Sequence, residues 1–243
     1  MMISVCMATY NGERFIKEQV VSILNQLSSN DELIISDDGS TDNTLAIIKT
    51  LNDNRIHLKQ NIKSNNRKHS RHFLVTKNFE NALSYAKGDI IFLADQDDIW
   101  KTNKVETCLH YLKTYDILFT NYDIIDNEGK VSELQFLKEN PIDISFYKMM
   151  KKMPFHGCCM CFKKEVLKQA LPFPKKLLLH DNWIGILWAY QHPEKIKFIK
   201  ESFVLYRQHT NNVSGVSRNS WMYKLLYRAE FLFDIYKRLI FKI

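Results

Sequence analysis

Apolar and polar positions along this chain follow two periods, and their alternation sets the first expectations. Ile3-Ser4-Val5-Cys6-Met7-Ala8 is a short, nearly unbroken apolar run closed by Thr9-Tyr10-Asn11-Gly12, the pattern of a buried strand leaving through a turn. From Arg14 to Leu27 the apolar residues Ile16, Val20, Ile23, Leu24 and Leu27 return at helical spacing. Leu33-Ile34-Ile35 reads as a second strand that ends in Ser36-Asp37-Asp38-Gly39-Ser40-Thr41-Asp42, where Ser40 or Thr41 can cap a helix carrying Leu45, Ile47, Ile48 and Leu51. Ile56-His57-Leu58 is a third strand candidate. Strands alternating with helices in this way predict a parallel sheet covered on both faces, with ligands beyond the carboxyl ends of the strands.

The remainder continues the alternation. Residues from Lys77 to Gly88 predict a helix closed by glycine, and Asp89-Ile90-Ile91-Phe92-Leu93 a strand that delivers Ala94-Asp95-Gln96-Asp97-Asp98-Ile99-Trp100 to the same rim. A helix with Val105, Cys108, Leu109 and Leu112 precedes a strand at Ile117-Leu118-Phe119-Thr120 and a turn at Asp126-Asn127-Glu128-Gly129. Residues 131–156, interrupted by Pro141 and Pro154, read as a helical excursion that shapes an acceptor site. Cys158-Cys159-Met160-Cys161-Phe162 reads as a strand and residues 163–170 as a short helix. Leu177-Leu178-Leu179 then runs into His180-Asp181-Asn182-Trp183, and the strand Phe203-Val204-Leu205-Tyr206 ends in Arg207-Gln208-His209.

Composition narrows the picture. With 243 residues, 45% hydrophobic and 25% charged, the chain fits one large domain, drawn at 1–215, and an appended tail at 216–243. No apolar run reaches the roughly 18 residues needed to span a bilayer, and the first residues lack the basic region and cleavage site of a signal peptide, so a cytoplasmic location is expected. Five cysteines without a zinc spacing read as reduced packing residues. The net charge of +7 and pI near 9.0 favour an anionic partner.

Candidate chemistry gathers at the strand ends. Three carboxylates within four residues at Asp95, Asp97 and Asp98 make sense where a cation neutralises them, and Asp95 and Asp97 can reach a Mg2+ or Mn2+ carrying a diphosphate. Asp181 reads either as a helix cap or as a free carboxylate. Arg207 and His209, two residues apart after a strand, can project toward one mouth, with His209 as a metal ligand. The basic run with Lys63, Arg67, Lys68 and Arg71 beside His69 and His72 reads as a solvated loop or as a cationic flap over phosphates. The tail, rich in Trp, Tyr, Phe and Leu and studded with Lys224, Arg228, Lys237 and Arg238, suits either an anionic membrane interface or docking on the domain or a twin subunit as a homodimer.

Five pieces in order, Met7-Ala8-Thr9-Tyr10-Asn11-Gly12, Ser36-Asp37-Asp38-Gly39-Ser40-Thr41-Asp42, Ala94-Asp95-Gln96-Asp97-Asp98-Ile99-Trp100, His180-Asp181 and Tyr206-Arg207-Gln208-His209, resemble the family 2 nucleotide-sugar glycosyltransferases of the GT-A fold. The resemblance implies an α/β fold, a Rossmann-like and mostly parallel central sheet flanked by helices, with a nucleotide-binding half at about 1–100 and an acceptor half at about 101–215. It implies that Ala8, Thr9, Tyr10, Asn11, Glu13, Asp37, Asp38, Asn78, Asp95, Gln96 and Arg207 contact the donor. Within that set Tyr10 would stack on the base, Asp38 with Asp37 would accept the imide N–H of uracil or thymine, and Arg207 would sit near the leaving phosphates. Asp95, Asp97 and His209 would hold Mn2+ or Mg2+, and Asp181 would be the catalytic base of an inverting transfer.

The form Asp-Gln-Asp-Asp-Ile-Trp is most similar to bacterial rhamnosyltransferase-like members that build surface polysaccharides. It implies a dTDP-rhamnose or UDP-hexose donor, a glycan or lipid-linked glycan acceptor, and a place in the cytoplasm or on the inner face of the plasma membrane. A sugar-1-phosphate nucleotidyltransferase would need a glycine-rich phosphate loop that Thr9-Tyr10-Asn11-Gly12-Glu13 does not provide. A non-catalytic nucleotide-sugar-binding protein would not need both Asp181 and the Asp95/Asp97 pair. Nucleic acid is not expected as a partner, since acidic strand ends repel phosphates.

Overall fold

A computed structural model describes residues 1–61, 70–138, 145–209 and 221–241. Lys63, Arg67, Lys68 and His69 of the basic run, Pro141, and the domain boundary drawn at 215 lie outside these residues.

Strands β1 (Ile3–Thr9), β2 (Glu32–Asp37), β3 (Ile56–Gln60) and β4 (Ile90–Asp95) lie parallel in the order β3-β2-β1-β4. Their register sets Thr9 opposite Asp37, Ala8 opposite Asp95 and Asp37 opposite Gln60, so these strands finish along one rim. The sheet is covered on both sides. Val5, Met7, Leu33 and Phe92 join one apolar cluster while Cys6, Ile34, Ile91 and Leu93 join the other, which is why these runs read as almost continuously apolar. Strand β2 is longer than its apolar core implies because Glu32, Ser36 and Asp37 are also buried in it.

Helices α1 (Ile16–Leu24), α2 (Thr44–Thr50), α3 (Arg71–Ser84) and α4 (Lys104–Leu112) supply the connections. Asn43, rather than Ser40 or Thr41, holds the N-cap position of α2, and Asp42 Oδ1 accepts from the Thr44 backbone N–H at 3.0 Å. Helix α3 starts earlier than its apolar periodicity shows, because Ser70 Oγ accepts from the Phe73 N–H and draws Arg71 and His72 into its first turn. It also stops at Ser84. Gly88 is therefore not its cap but a point of close approach to β1, where a Cβ would lie 2.5 Å from the Ser4 nitrogen.

The second half adds β5 (Ile99–Trp100), β6 (Ile117–Ile125), β7 (Val131–Glu133), β8 (Met160–Lys163) and β9 (Ile196–Arg207), extending the sheet in the order β4-β8-β6-β9-β5 with β7 on β6. Here the expected parallel arrangement gives way to a mixed one: β8 is antiparallel to both β4 and β6, whereas β9 is parallel to β6. The excursion between β6 and β8 contains β7 and α5 (Phe146–Lys152) and returns the chain to the sheet without a crossover, so β8 runs in reverse. After α6 (Lys164–Ala170) and α7 (His180–Gln191), α8 (Trp221–Phe241) packs Phe231 and Ile235 into the core, with Phe231 edge-on to Trp183 at 5.7 Å. All five cysteines are free and buried, in line with packing roles. No described helix is long and apolar enough to cross a membrane.

The Gly88 contact generates a stability prediction. Gly88→Ala drives a methyl into the backbone of Ser4 and Ile3, and overpacking of this kind costs about 1–3 kcal/mol. Urea unfolding is expected to show a lowered midpoint at unchanged slope; an unaltered midpoint would refute the contact.

Candidate functional site

The strand ends open into a cleft of about 740 Å3 lined from β1, β4, α3, the first turn of α7 and the end of β9. Its floor is tied together by Gln96. The Gln96 carboxamide accepts from the Tyr10 N–H at 2.9 Å and from Thr9 Oγ1 at 2.5 Å, and donates to the Tyr10 carbonyl at 3.1 Å. This pair of hydrogen bonds between the Gln96 side chain and the Tyr10 backbone fixes the first loop against the acidic loop. Gly12 leaves room for it, since a Cβ there would lie 2.4 Å from Gln96 Oε1 and displace that carboxamide. Tyr10 itself, 51% exposed, stands at the lip.

The second loop is a self-contained turn. Asp37 accepts from the Gly39 and Ser40 N–H groups at 2.9 Å each and from Ser40 Oγ at 2.5 Å, so its carboxylate is spent on holding the loop and does not line the cleft. Asp38 does line it, and accepts from Asn61 Nδ2 at 3.1 Å. Asn11 bridges the two loops through Ser40 Oγ and the Thr41 N–H. Glu13 lies off the cleft, receiving hydrogen bonds from the backbone and side chain of Asn43. Asn78 reaches the cleft wall but works as a tie between β1 and β2, accepting from Ser36 Oγ at 2.6 Å and donating to the Thr9 carbonyl at 3.1 Å.

The acidic loop divides its carboxylates by direction. Asp95 and Asp97 face the cleft, whereas Asp98 is buried and accepts from the Arg207 N–H at 3.1 Å. Burial, with the Asp97 and Asp181 charges behind it, pushes Asp95 up to about 7. Burial and the Asp97 and Asp95 charges likewise push Asp98 well above the carboxylate range. His209 Nε2 meets Asp97 Oδ2 at 2.7 Å, which brings the last residue of the motif set onto the first acidic loop. Asp95, Asp97 and His209 therefore share one wall.

Arg207 takes a different place from the one its spacing predicts. It is 2% exposed and outside the cleft lining; Nε donates to the Asp97 carbonyl, Nη1 to the Asp126 and Asn127 carbonyls, and Nη2 to Glu18 Oε2 at 2.8 Å. Its guanidinium also stacks over Phe15 at 4.5 Å. Arg207 thus braces the acidic loop from behind. Among the described residues the arginines and lysines that do line the cleft are Arg14 and Arg71, neither of which the motif comparison singles out.

Asp181 sits in the first turn of α7, but Leu179 holds the N-cap position. Its Oδ1 accepts from the Asn182 N–H at 2.7 Å and Asn182 Nδ2 at 3.1 Å, while burial pushes the carboxyl up to about 6. Beside it, burial holds His180 down to about 3, so the imidazole is neutral. Its ring stacks on Phe79 at 4.2 Å. A further residue missed by pattern reading is Lys104, fully buried under the acidic loop, with Nζ donating to the Cys158 carbonyl at 2.9 Å and lying 4.3 Å from the Trp100 ring. Its charge partly offsets the upward shift of Asp95.

The donor chemistry can be tested against a metal. Asp95, Asp98 and Cys158 bring ligating atoms within 4.8 Å of one another, but burial and the contact with Cys159 keep the Cys158 thiol protonated. Asp98 Oδ2 is buried and has no hydrogen-bond partner among the described residues. Carboxylate oxygens crowded enough to raise the proton affinity of Asp95 and Asp98, with the His209 nitrogen on Asp97 beside them, fit a hard divalent cation.

Comparisons with known proteins agree with this geometry. The family described as Glycosyl transferase family 2 matches residues 4–171. The chain is 31% identical over 192 residues to the Escherichia coli UDP-Glc:alpha-D-GlcNAc-diphosphoundecaprenol beta-1,3-glucosyltransferase WfgD, covering 76% of this chain and 70% of that one. It is 28% identical over 225 residues to the Shigella flexneri dTDP-rhamnosyl transferase RfbG, covering 87% of this chain and 74% of that one. In fold it is similar to glucosyl-3-phosphoglycerate synthase from Mycobacterium tuberculosis in complex with Mn2+, UDP and phosphoglyceric acid, with a TM-score of 0.62 at 18% identity over 93% of this chain and 78% of that one. With its GT-A sheet, its paired loops and a match running through more than two thirds of its length, the chain belongs to glycosyltransferase family 2.

Proposed function

We propose that the protein is a metal-dependent inverting glycosyltransferase that moves a sugar from a nucleoside-diphosphate sugar to a hydroxyl of a growing bacterial surface glycan. The observation that carries this reading is the meeting in one cleft of Asp95, the Asp97–His209 pair and Asp181. A carboxylate raised to about 6 and placed apart from the Asp97–His209 pair suits deprotonation of an acceptor hydroxyl near neutral pH. The neutral His180 beside it adds no charge that would suppress that basicity.

The nucleotide belongs to the half formed by residues 1 to about 100. Tyr10 at the lip is the stacking surface for the base, and Asp38 accepts the imide N–H that uracil and thymine share. Asp37, Glu13, Asn78 and Gln96 serve by holding those loops, and Arg71, in the first turn of α3, replaces Arg207 as the cation for the diphosphate. Asp95, Asp97 and His209 hold Mn2+ or Mg2+, which neutralises the charge developing on the departing diphosphate. The acceptor half, from about 101 to 215, brings Asp181. Relatives that use UDP-glucose and dTDP-rhamnose leave these two donor classes in competition, and a lipid-linked glycan acceptor is drawn from the name of the first of them. A thermal-shift panel of UDP and dTDP sugars with Mn2+ distinguishes the donors, because the one that binds raises the melting temperature by mass action.

Three outcomes test the reading. Asp181→Asn is expected to keep donor affinity while transfer falls by about two to four powers of ten, measured as kcat at saturating donor; unimpaired kcat removes Asp181 as the base. Asp97→Ala is expected to abolish the Mn2+-dependent part of nucleotide binding in calorimetry, and equal binding with and without EDTA refutes the metal. The third concerns pH. Asp95 is near 7 in the folded chain and about 3.9 when unfolded, so the folded state binds the extra proton. The stability this lends is complete below about pH 4 and is lost as the pH rises through about 7. In EDTA, Asp95→Asn should therefore melt like the native protein at pH 4 and increasingly above it toward pH 8; a gain independent of pH contradicts the crowding.

A further inference from the structure

Helix α8 presents two apolar faces, of which the described structure uses one. Phe231 and Ile235, each 2% exposed, pack inward. Leu225, Leu226, Leu232, Phe233, Tyr236 and Ile240 are 47–64% exposed. At 3.6 residues per turn these six fall within an arc of about 120° opposite the buried pair. No charged residue interrupts that arc, and among the described residues nothing covers it. An exposed helical stripe of this extent marks an interaction surface.

The surroundings choose the partner. Arg228 Nε donates to the Met150 carbonyl and Nη2 to the Lys151 carbonyl, which fixes the end of α5 beside α8 and sets the exposed Lys151 and Lys152 next to its first half. Lys237 adds exposed charge at the margin of the stripe, Lys224 lies exposed on the side away from it, and Lys176 lies at 3.1 Å from Glu230. Acidic residues on α8 are confined to Glu230, already paired, and Asp234. A second copy of the chain would bring an equally basic surface against this one. An anionic lipid surface complements both features, apolar stripe and positive border.

We infer that α8, with the C-terminal turn of α5, docks the protein in the plane of an anionic bilayer, its outer stripe seated among the acyl chains. The docked helix is joined to the cleft. The Leu178 N–H donates to Tyr227 Oη at 3.4 Å, Leu178 lines the cleft, and Phe231 rests on Trp183 of the helix whose first turn carries Asp181. The helix that meets lipid on its outer side is thus packed by its inner side on the segment that carries the proposed base.

Co-sedimentation of the full chain with vesicles of phosphatidylcholine alone, and of phosphatidylcholine mixed with phosphatidylglycerol, tests this without reference to transfer. Binding is expected to the mixed vesicles and to weaken with added salt. The double change Leu225→Glu with Phe233→Glu should abolish it, and Lys151→Glu with Lys152→Glu should weaken it at least about tenfold, by the scale of lipid attraction per basic residue. All four positions are exposed, and circular dichroism melting checks that the variants stay folded. Absence of binding to the mixed vesicles overturns the inference, as does binding that both variants retain. A concentration-dependent dimer that dissociates on Leu225→Glu with Phe233→Glu, without vesicle binding, assigns the face to a second copy instead.

Discussion

Carboxylate crowding at the ends of the strands is the constraint around which this molecule is arranged. Asp95, Asp97 and Asp98 fall within four residues, and Asp181 is close enough to raise the proton affinity of Asp95. Like charges brought together in a poorly solvated place are tolerated only where opposite charge or directed hydrogen bonds offset them. The protein meets this demand from three sides. Lys104 lies beneath the loop, the Arg207 N–H and guanidinium hold Asp98 and the Asp97 carbonyl from behind, and His209 meets Asp97 in the cleft. What these groups leave uncompensated is charge facing the opening, and that remainder is what a cation can use.

The bracing also explains why the end of β9 has to reach the beginning of the chain. Arg207 joins the acidic loop, the turn at Asp126 and Asn127, Glu18 of α1 and the ring of Phe15. These come from three separate segments, Phe15 being the N-cap of α1, so the cleft wall is a tertiary product that no local segment could hold alone. Gln96 performs the corresponding task at the floor, where its carboxamide substitutes for a strand partner of Tyr10. Side chains of the donor motifs thus divide into those that face the cleft, such as Tyr10, Asp38, Asp95 and Asp97, and those that position them.

That division marks the limit of what the sequence discloses. The parallel half of the sheet was legible because buried strands leave unbroken apolar runs, and the acidic loop because nothing else accounts for so many carboxylates after one of them. Arg207 was misplaced since spacing relative to His209 cannot tell which side of the final strand faces inward, and β9 ends at Arg207, so the two residues do not share its alternation. Lys104 was legible in principle: with Cys108 and Leu112 it falls at i, i+4 and i+8, on the buried stripe of α4, a position where a lysine needs an interior acceptor. Arg71 and His72 were obscured because a helix start rich in basic residues resembles a solvated loop until Ser70 is seen to cap it. The reversal of β8 has no local signature, being set by how a long connection returns.

The two titrating carboxylates show how one cleft can host two roles. Asp95 and Asp181 are both raised by burial, yet the next influences differ: Asp95 feels Asp97 and Asp181, while Asp181 is pulled back by hydrogen bonds from Asn182. Burial is the largest cause of the Asp95 shift and the Asp97 and Asp181 charges come next, so a cation in the cleft would offset the second part and favour the ionised carboxylate that the proposed metal role requires. Asp181, whose shift comes chiefly from burial, would keep its affinity for a proton, as the proposed role of base requires. The proposed division between ligand and base therefore rests on the cause of each shift, burial in one case and burial with like charge in the other, and not on the residue type, which is the same.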